Sequence, residues 1–123
     1  MKTSELTGAA LDWAVAKCIY DNLRYRYGSP CFNPLTKRVY ESQGLQDIGV
    51  TFSPSTNWAQ GGPIIEREAI TVSEGSPVAG LEWMACDRGC THIQHGPTYL
   101  IAAMRCYVAS KLGDDVAVPK ELT

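Results

Sequence analysis

No apolar run in this sequence is long: the strongest, Leu100 to Met104, falls far short of the roughly 20 residues that a bilayer-spanning helix needs. The opening residues, Met1-Lys2-Thr3-Ser4-Glu5, lack the charged-then-apolar pattern of a secretory signal. A cytoplasmic chain without membrane association is the expectation. Positive charge is not in excess either, since 11 Lys and Arg stand against 13 Asp and Glu, a net charge of −2. Broad nucleic-acid binding needs a strong positive field, so none is expected. The patterns GxxxxGK[ST], GxGxxG and HExxH are all missing, and with them the usual signatures of nucleotide hydrolases and zinc proteases. Repeats, low-complexity tracts and domain linkers are lacking as well. The cysteines, Cys18, Cys31, Cys86, Cys90 and Cys106, are odd in number. Without an export signal that points to free thiols, not to a disulfide framework.

What is present suits one folded domain, residues 1–123. At 45% hydrophobic and 20% charged, the chain has an ordinary globular composition. Its length can bury a core without covalent staples. Charge is unevenly spread. Between Tyr20 and Tyr40, Arg24, Arg26, Lys37 and Arg38 face only Asp21, so this stretch carries +3 and the remainder −5. An anionic ligand would most readily meet this stretch.

Two helices are predicted. Thr7 is a good N-cap, and Leu11, Ala14, Val15 and Cys18 follow at helical spacing, with an end between Ile19 and Tyr25. Thr98 opens the second, where Ile101, Met104, Tyr107 and Val108 make an apolar stripe. Lys111 suits its last turn, and Gly113 suits the position just beyond it. Gly28-Ser29-Pro30 and Asn33-Pro34 are turn signals, and Arg38-Val39-Tyr40 reads as a short strand. Gly61-Gly62-Pro63 reads as a break. After it, Ile64 to Val72 and Val78 to Cys86 read as strands of one antiparallel hairpin around Glu74-Gly75-Ser76-Pro77. The tail that follows Gly113 is a strand or a loop. The expected fold is α+β, a short antiparallel sheet packed against two helices.

Three groups of residues carry possible chemistry. Cys86-x3-Cys90-x-His92-x2-His95 has the residue types of a zinc site. Its spacing argues against one, because four ligands within ten residues would strain a single loop. A polar loop that happens to hold Cys and His fits better, and no metal or cofactor is expected. A Cys–His nucleophile would need a base and a third, orienting group, and no local signature marks such a set.

Asn57-Trp58-Ala59-Gln60-Gly61-Gly62-Pro63 joins an indole, two amides and a glycine pair. Glycines let backbone N–H groups approach an anion closely, and an indole can stack on a base. Composition alone favours a tight turn whose Trp fills the core. The expected strand adds weight to the ligand reading. Alternation would put Glu66 and Glu68 on one face, ~7 Å apart, with Arg67 opposite. Such carboxylates would need partners: ligand hydroxyls, or cations such as Arg24 and Arg26. An edge strand with solvated charges fits equally well.

Three blocks resemble the NinX-like proteins of tailed phages: Leu6 to Cys18, Ser53 to Glu68 with its Trp58-Ala59-Gln60-Gly61-Gly62-Pro63 core, and Gly96-Pro97-Thr98 with Leu100 to Gly113. They cover about a third of the chain and are spread along it. The segments 29–43 and 86–95 lie outside the family's pattern, which weighs against a family-wide zinc or Cys–His role. The resemblance implies an accessory protein of phages and prophages of enteric bacteria, encoded near replication and recombination functions. It carries no catalytic residues. The expectation is therefore a non-catalytic binder of a small nucleotide-like ligand, such as a host immune signal, acting in the host cytoplasm. The ligand residues would be Asn57, Trp58, Gln60, Gly61, Gly62, Glu66, Arg67 and Glu68, with Arg24 and Arg26. A homo-oligomer that completes the pocket between subunits is expected. The alternatives are a module that blocks a host protein and a small hydrolase using Glu66 and Glu68 or a Cys–His pair.

Overall fold

The computed structural model describes residues 1–20, 32–33, 38–42, 47–118 and 120–122. Helix α1 is described over Gly8–Tyr20. Its first turn closes with the Leu11 N–H donating to the Thr7 carbonyl at 3.3 Å. Leu11, Ala14, Val15 and Cys18 are buried, but so are Trp13, Ala16 and Asp12. The helix is thus covered well beyond one stripe.

A second helix, α2, spans Trp58–Glu68, where the sequence suggests a glycine break and then a strand. The strand reading of Ile64 to Val72 is wrong over most of its length, and the local physics explains why. Asn57 is in extended conformation and its side chain accepts the Ala59 N–H at 2.9 Å, a standard N-cap. Gly61 and Ile64 are buried while Ile65 and Glu68 are partly covered, which is one face of a 3.6-residue repeat. Gly61 is a glycine because of a close approach: a Cβ there would lie 2.5 Å from the Pro54 carbonyl oxygen and 2.8 Å from Leu100 Cδ2. Pro63, exposed, costs the helix the bond to Ala59 without ending it. The helix stops at Ala69, which takes a left-handed conformation (φ 53°) and donates to the Glu66 carbonyl at 3.3 Å.

Helix α3, Tyr99–Leu112, agrees with its sequence signals. The Thr98 hydroxyl oxygen accepts the Ile101 N–H at 3.1 Å. Gly113, at φ 86°, donates to the Ala109 carbonyl at 3.0 Å. Residues 102–109 are all buried. A helix apolar all round belongs in the interior. Here α1 and α2 flank α3, and a sheet covers another side.

That sheet contains β4 (Thr71–Glu74), β5 (Trp83–Cys86) and β6 (Ile93–Gly96), antiparallel and in chain order. Thr71 pairs with Cys86 and Glu74 with Trp83, while Trp83 also faces Gly96 across β6. The hairpin expected here is present, but shorter, and β6 is an addition within a segment that reads as irregular. Gly96 seats the sheet against α3, since a Cβ there would sit 2.7 Å from the Ala102 nitrogen. The buried Arg105 fastens the layers: Nε donates to the Leu6 carbonyl and Nη1 to the His95 carbonyl, each at 2.8 Å.

A second antiparallel group, β1 (Phe32–Asn33), β2 (Arg38–Ser42) and β3 (Asp47–Thr51), pairs in chain order, with β2 beside α1. The strand expected at Arg38 to Tyr40 is therefore present. The Gly28-Ser29-Pro30 turn lies outside the described residues. The segment after α3 returns to the N-terminal one: Lys2 bridges Asp115, and the Thr3 hydroxyl donates to the Gly113 carbonyl at 2.7 Å. Among the described residues no helix is long and apolar enough to cross a membrane. The class is α+β, with three described helices where two are expected.

Candidate functional site

The first residues of α2 and α3 lie side by side. Trp58, the first residue of α2, is 56% exposed despite its size. Its ring centroid is 5.0 Å from that of Tyr99, the first residue of α3, with the planes tilted by 43°. Tyr99 in turn meets Trp83 of β5 edge-on at 5.5 Å. Three rings from three elements thus form a continuous aromatic run. Trp58 and Tyr99 line a cleft of about 280 Å³ whose other walls are Ser55, Thr56, Thr98, Leu100 and Ile101, and Trp83 backs Tyr99 from outside it.

The electrostatics of this cleft follow from its position. The first four N–H groups of a helix have no intrahelical partner, and the helix dipole adds partial positive charge there. Asn57 and Thr98 each satisfy one such group, those of Ala59 and Ile101. Neither helix has an acidic residue in its first turn. Two helix ends without an acidic counter-charge therefore meet beside an exposed aromatic surface. This arrangement suits an anion joined to a flat ring.

Behind the cleft, the loop leading into α2 is rigidly held. The Thr56 and Asn57 N–H groups both donate to the Ser53 carbonyl, at 3.1 and 2.9 Å. Gln60 Oε1 accepts the Ser53 N–H at 2.6 Å. The Ser55 N–H donates to Oδ1 of Asp12, a carboxylate only 6% exposed, at 3.0 Å. Burial drives the Asp12 pKa from 3.8 up to about 6, against the opposing effect of its bonds with Ser55. The Ser55 hydroxyl faces the same carboxyl group without completing a well-formed hydrogen bond.

The sequence-predicted ligand residues are divided by the helix. Asn57 and Trp58 are at the cleft, but the Asn57 side chain is committed to its cap. Gln60 braces the loop, and Gly61 serves the contact with Pro54. Gly62 has open space around it. Glu66, Arg67 and Glu68 stand at the far end of α2, about 15 Å along the axis from Trp58 at 1.5 Å per residue. Residues two apart on a helix do not share a face, so Glu66 and Glu68 are not the paired carboxylates that alternation implies. Arg24 and Arg26 lie outside the described residues.

At that far end is a second, polar cleft of about 390 Å³, lined by Arg67, Glu68, Asp87, Arg88 and Lys111 among others. Glu68 accepts from Arg67 Nε at 3.2 Å and from Lys111 Nζ at 3.1 Å. Burial works against its charge, but the bonds from Lys111 and Arg67 outweigh it and hold the carboxyl below its ordinary range. Beside this cleft the Cys–His segment resolves into two separate pairs. The sulfurs of Cys86 and Cys90 are 2.7 Å apart, whereas the His92 ring nitrogen Nδ1 is 2.9 Å from Asp87 Oδ2. His95 sits in β6 opposite Met84. Among the described residues no three or more His, Cys, Asp or Glu side chains are grouped to hold a metal ion.

Tyr99 and Trp83 are the site residues that sequence reasoning misses. The Thr98 cap signal does place Tyr99 at a helix start, but nothing local shows that α2 begins beside it. The fold and cleft define an α+β protein with an exposed aromatic site at paired helix N-termini. Residues 2–111 match the family described as Bacteriophage P22, NinX, so the chain belongs to the phage NinX family and is a phage accessory protein. The three resembling blocks correspond to α1, to α2 with its leading loop, and to α3. No curated protein matches the chain.

Proposed function

We propose that this phage accessory protein binds a small nucleotide-like ligand, without turning it over, in the cleft between α2 and α3. What supports the reading is the run of Trp58, Tyr99 and Trp83 beside two helix N-termini that carry no acidic residue in their first turns. A base stacks against Trp58. A phosphate is held by the remaining first-turn N–H groups, with no arginine required. The hydrolytic use of Glu66 and Glu68 loses its basis, because the two carboxylates do not share a face. A cleft of about 280 Å³ is small for a whole nucleotide, so a second copy of the chain closing over it would complete the enclosure. In a phage accessory protein acting in the host cytoplasm, such binding would serve to sequester a nucleotide signal of host defence.

The test is native mass spectrometry of protein purified from cells with active nucleotide signalling, followed by denaturation. A released nucleotide in stoichiometric amount supports the reading and reports the oligomer count. A folded Trp58→Ala protein that carries the same nucleotide load would refute the assignment of the cleft. A second reading, docking on a host protein, is favoured by Val78 and Leu81, which are exposed at 57% and 41% in the β4–β5 connection. Empty protein that co-purifies with a host protein, and loses it in Val78→Asp, would favour that alternative.

A further inference from the structure

The ligand cleft makes no use of the cysteines, and two of them meet elsewhere. Cys86 is the last residue of β5 and pairs with Ile93 of β6, so residues 87–92 form the connection between the strands. That connection is tied internally. The Asp87 N–H donates to the His92 carbonyl at 3.3 Å, and the Cys90 N–H to the Asp87 carbonyl at 2.9 Å. The His92 N–H donates to Asp87 Oδ1 at 2.9 Å. Gly89 and Cys90 both adopt left-handed conformations, with φ of 88° and 53°. For Cys90 this is an unfavourable backbone state that persists only where the surroundings impose it. Its effect is to turn the chain back so that Cys90 Sγ lies 2.7 Å from Cys86 Sγ. The two thiols differ in access, since Cys86 is buried and Cys90 is exposed. The nearby Cys106, buried in α3, has its thiol pushed up to about 12 by burial and takes no part.

We propose that Cys86 and Cys90 form a reversible dithiol–disulfide site that reacts with small-molecule disulfides of the glutathione type. Exposed Cys90 loses its proton and attacks one sulfur of the small disulfide. That S–S bond breaks, and one half leaves as a thiolate and takes up the proton. The other half remains on Cys90 as a mixed disulfide. Cys86 then gives up its proton and attacks Cys90 Sγ, and the second half departs as a thiol. Two protein thiols are oxidised to one disulfide, and one small disulfide is reduced to two thiols. The closed bridge fixes the connection bearing Asp87 and Arg88, both of which line the polar cleft. The site is independent of the proposed nucleotide cleft.

The experiment equilibrates the full chain in glutathione buffers of graded redox ratio, quenches by alkylation, and maps the cysteines by peptide mass spectrometry. Mapping scores Cys31 separately. The expected product is a Cys86–Cys90 disulfide that forms at a ratio about tenfold less oxidising in the folded chain than in urea, because the fold holds the sulfurs together. Cys86→Ser is expected to stop at a stable glutathione adduct on Cys90, and Cys90→Ser to leave Cys86 as a free thiol. The proposal is overturned if the folded wild type halts at the Cys90 adduct. It is equally overturned if folded and urea-treated chains oxidise at the same ratio.

Discussion

Gly61 and Gly62 are neighbours in one helix, and replacing each by alanine should move stability in opposite directions. In an ordinary helix interior, Gly→Ala gains about 0.5–1 kcal/mol by reducing the freedom of the unfolded chain. Gly62 has no atom within 4 Å of an added Cβ, and its φ is not positive, so Gly62→Ala should realise that gain. At Gly61 the same methyl would lie 2.5 Å from the Pro54 oxygen and 2.8 Å from Leu100 Cδ2. The leucine can rotate, but the Pro54 carbonyl belongs to a loop held by Ser53 and Gln60. Overpacking of this kind costs about 1–3 kcal/mol, which exceeds the helical gain. The helical gain is common to both variants, so they should differ by the overpacking cost, about 1–3 kcal/mol in urea unfolding, with an unchanged slope and midpoints on either side of wild type. If Gly62→Ala were as harmful as Gly61→Ala, the glycine pair would be a flexible turn and the helix assignment would fail. If Gly61→Ala were silent, the close approach to Pro54 would be refuted.

Asp12→Asn should show a pH-dependent gain. Because the folded pKa (about 6) lies above the ordinary 3.8, the native state holds the extra proton. The stability from neutral Asp12 is thus complete below about pH 4 and is lost as pH rises toward 6. At about 1.4 kcal/mol per pKa unit, the variant should gain up to about 3 kcal/mol over wild type above pH 6 and converge with it below pH 4. Denaturant titrations across that range check both the sign and the window. Arg105→Met leaves the Leu6 and His95 carbonyls unpaired and should destabilise by about 2–3 kcal/mol in thermal unfolding. Trp58→Ala should cost under about 1 kcal/mol of stability, given its exposure. The same change should remove about 1–3 kcal/mol of affinity for a nucleotide by calorimetry, and Trp58→Phe should retain most of it.

How much the sequence reveals depends on whether local rules and tertiary packing agree. For α1 and α3 they do: Thr98 and Gly113 are cap residues acting as caps, and no breaker interrupts either helix. For α2 they conflict. Gly61-Gly62-Pro63 has the chemistry of a turn, while its helical state rests on the Asn57 cap and on packing against Pro54 and Leu100, residues 7 and 39 positions away from Gly61. Changing the period from two to 3.6 then rearranges the candidate site. Glu66 and Glu68 leave a shared face, and the charged end of α2 separates from Trp58. Strand β6 escapes notice for another reason. Ile93-Gln94-His95-Gly96 is short and polar, and its register is set by contacts within residues 87–92 that composition does not encode. Trp58 is legible as an aromatic in a suggestive setting. Its partners Tyr99 and Trp83 become visible only once three elements are brought together.

The cleft also carries its own optical label. The chain has 3 tryptophans, and the fold gives them three environments. Trp13 is 4% exposed, with Lys17 Nζ 5.4 Å from its ring centre. Trp83 is half-buried and Trp58 is open to solvent. Trp58 should emit at long wavelength and be quenched by aqueous iodide, while Trp13 is shielded and supplies an internal reference. Rings 5.0 and 5.5 Å apart also couple electronically, so the run from Trp58 to Trp83 should leave a near-ultraviolet circular dichroism signal. Anything that settles on Trp58 must alter that signal and the iodide-accessible fraction together, without a probe being attached.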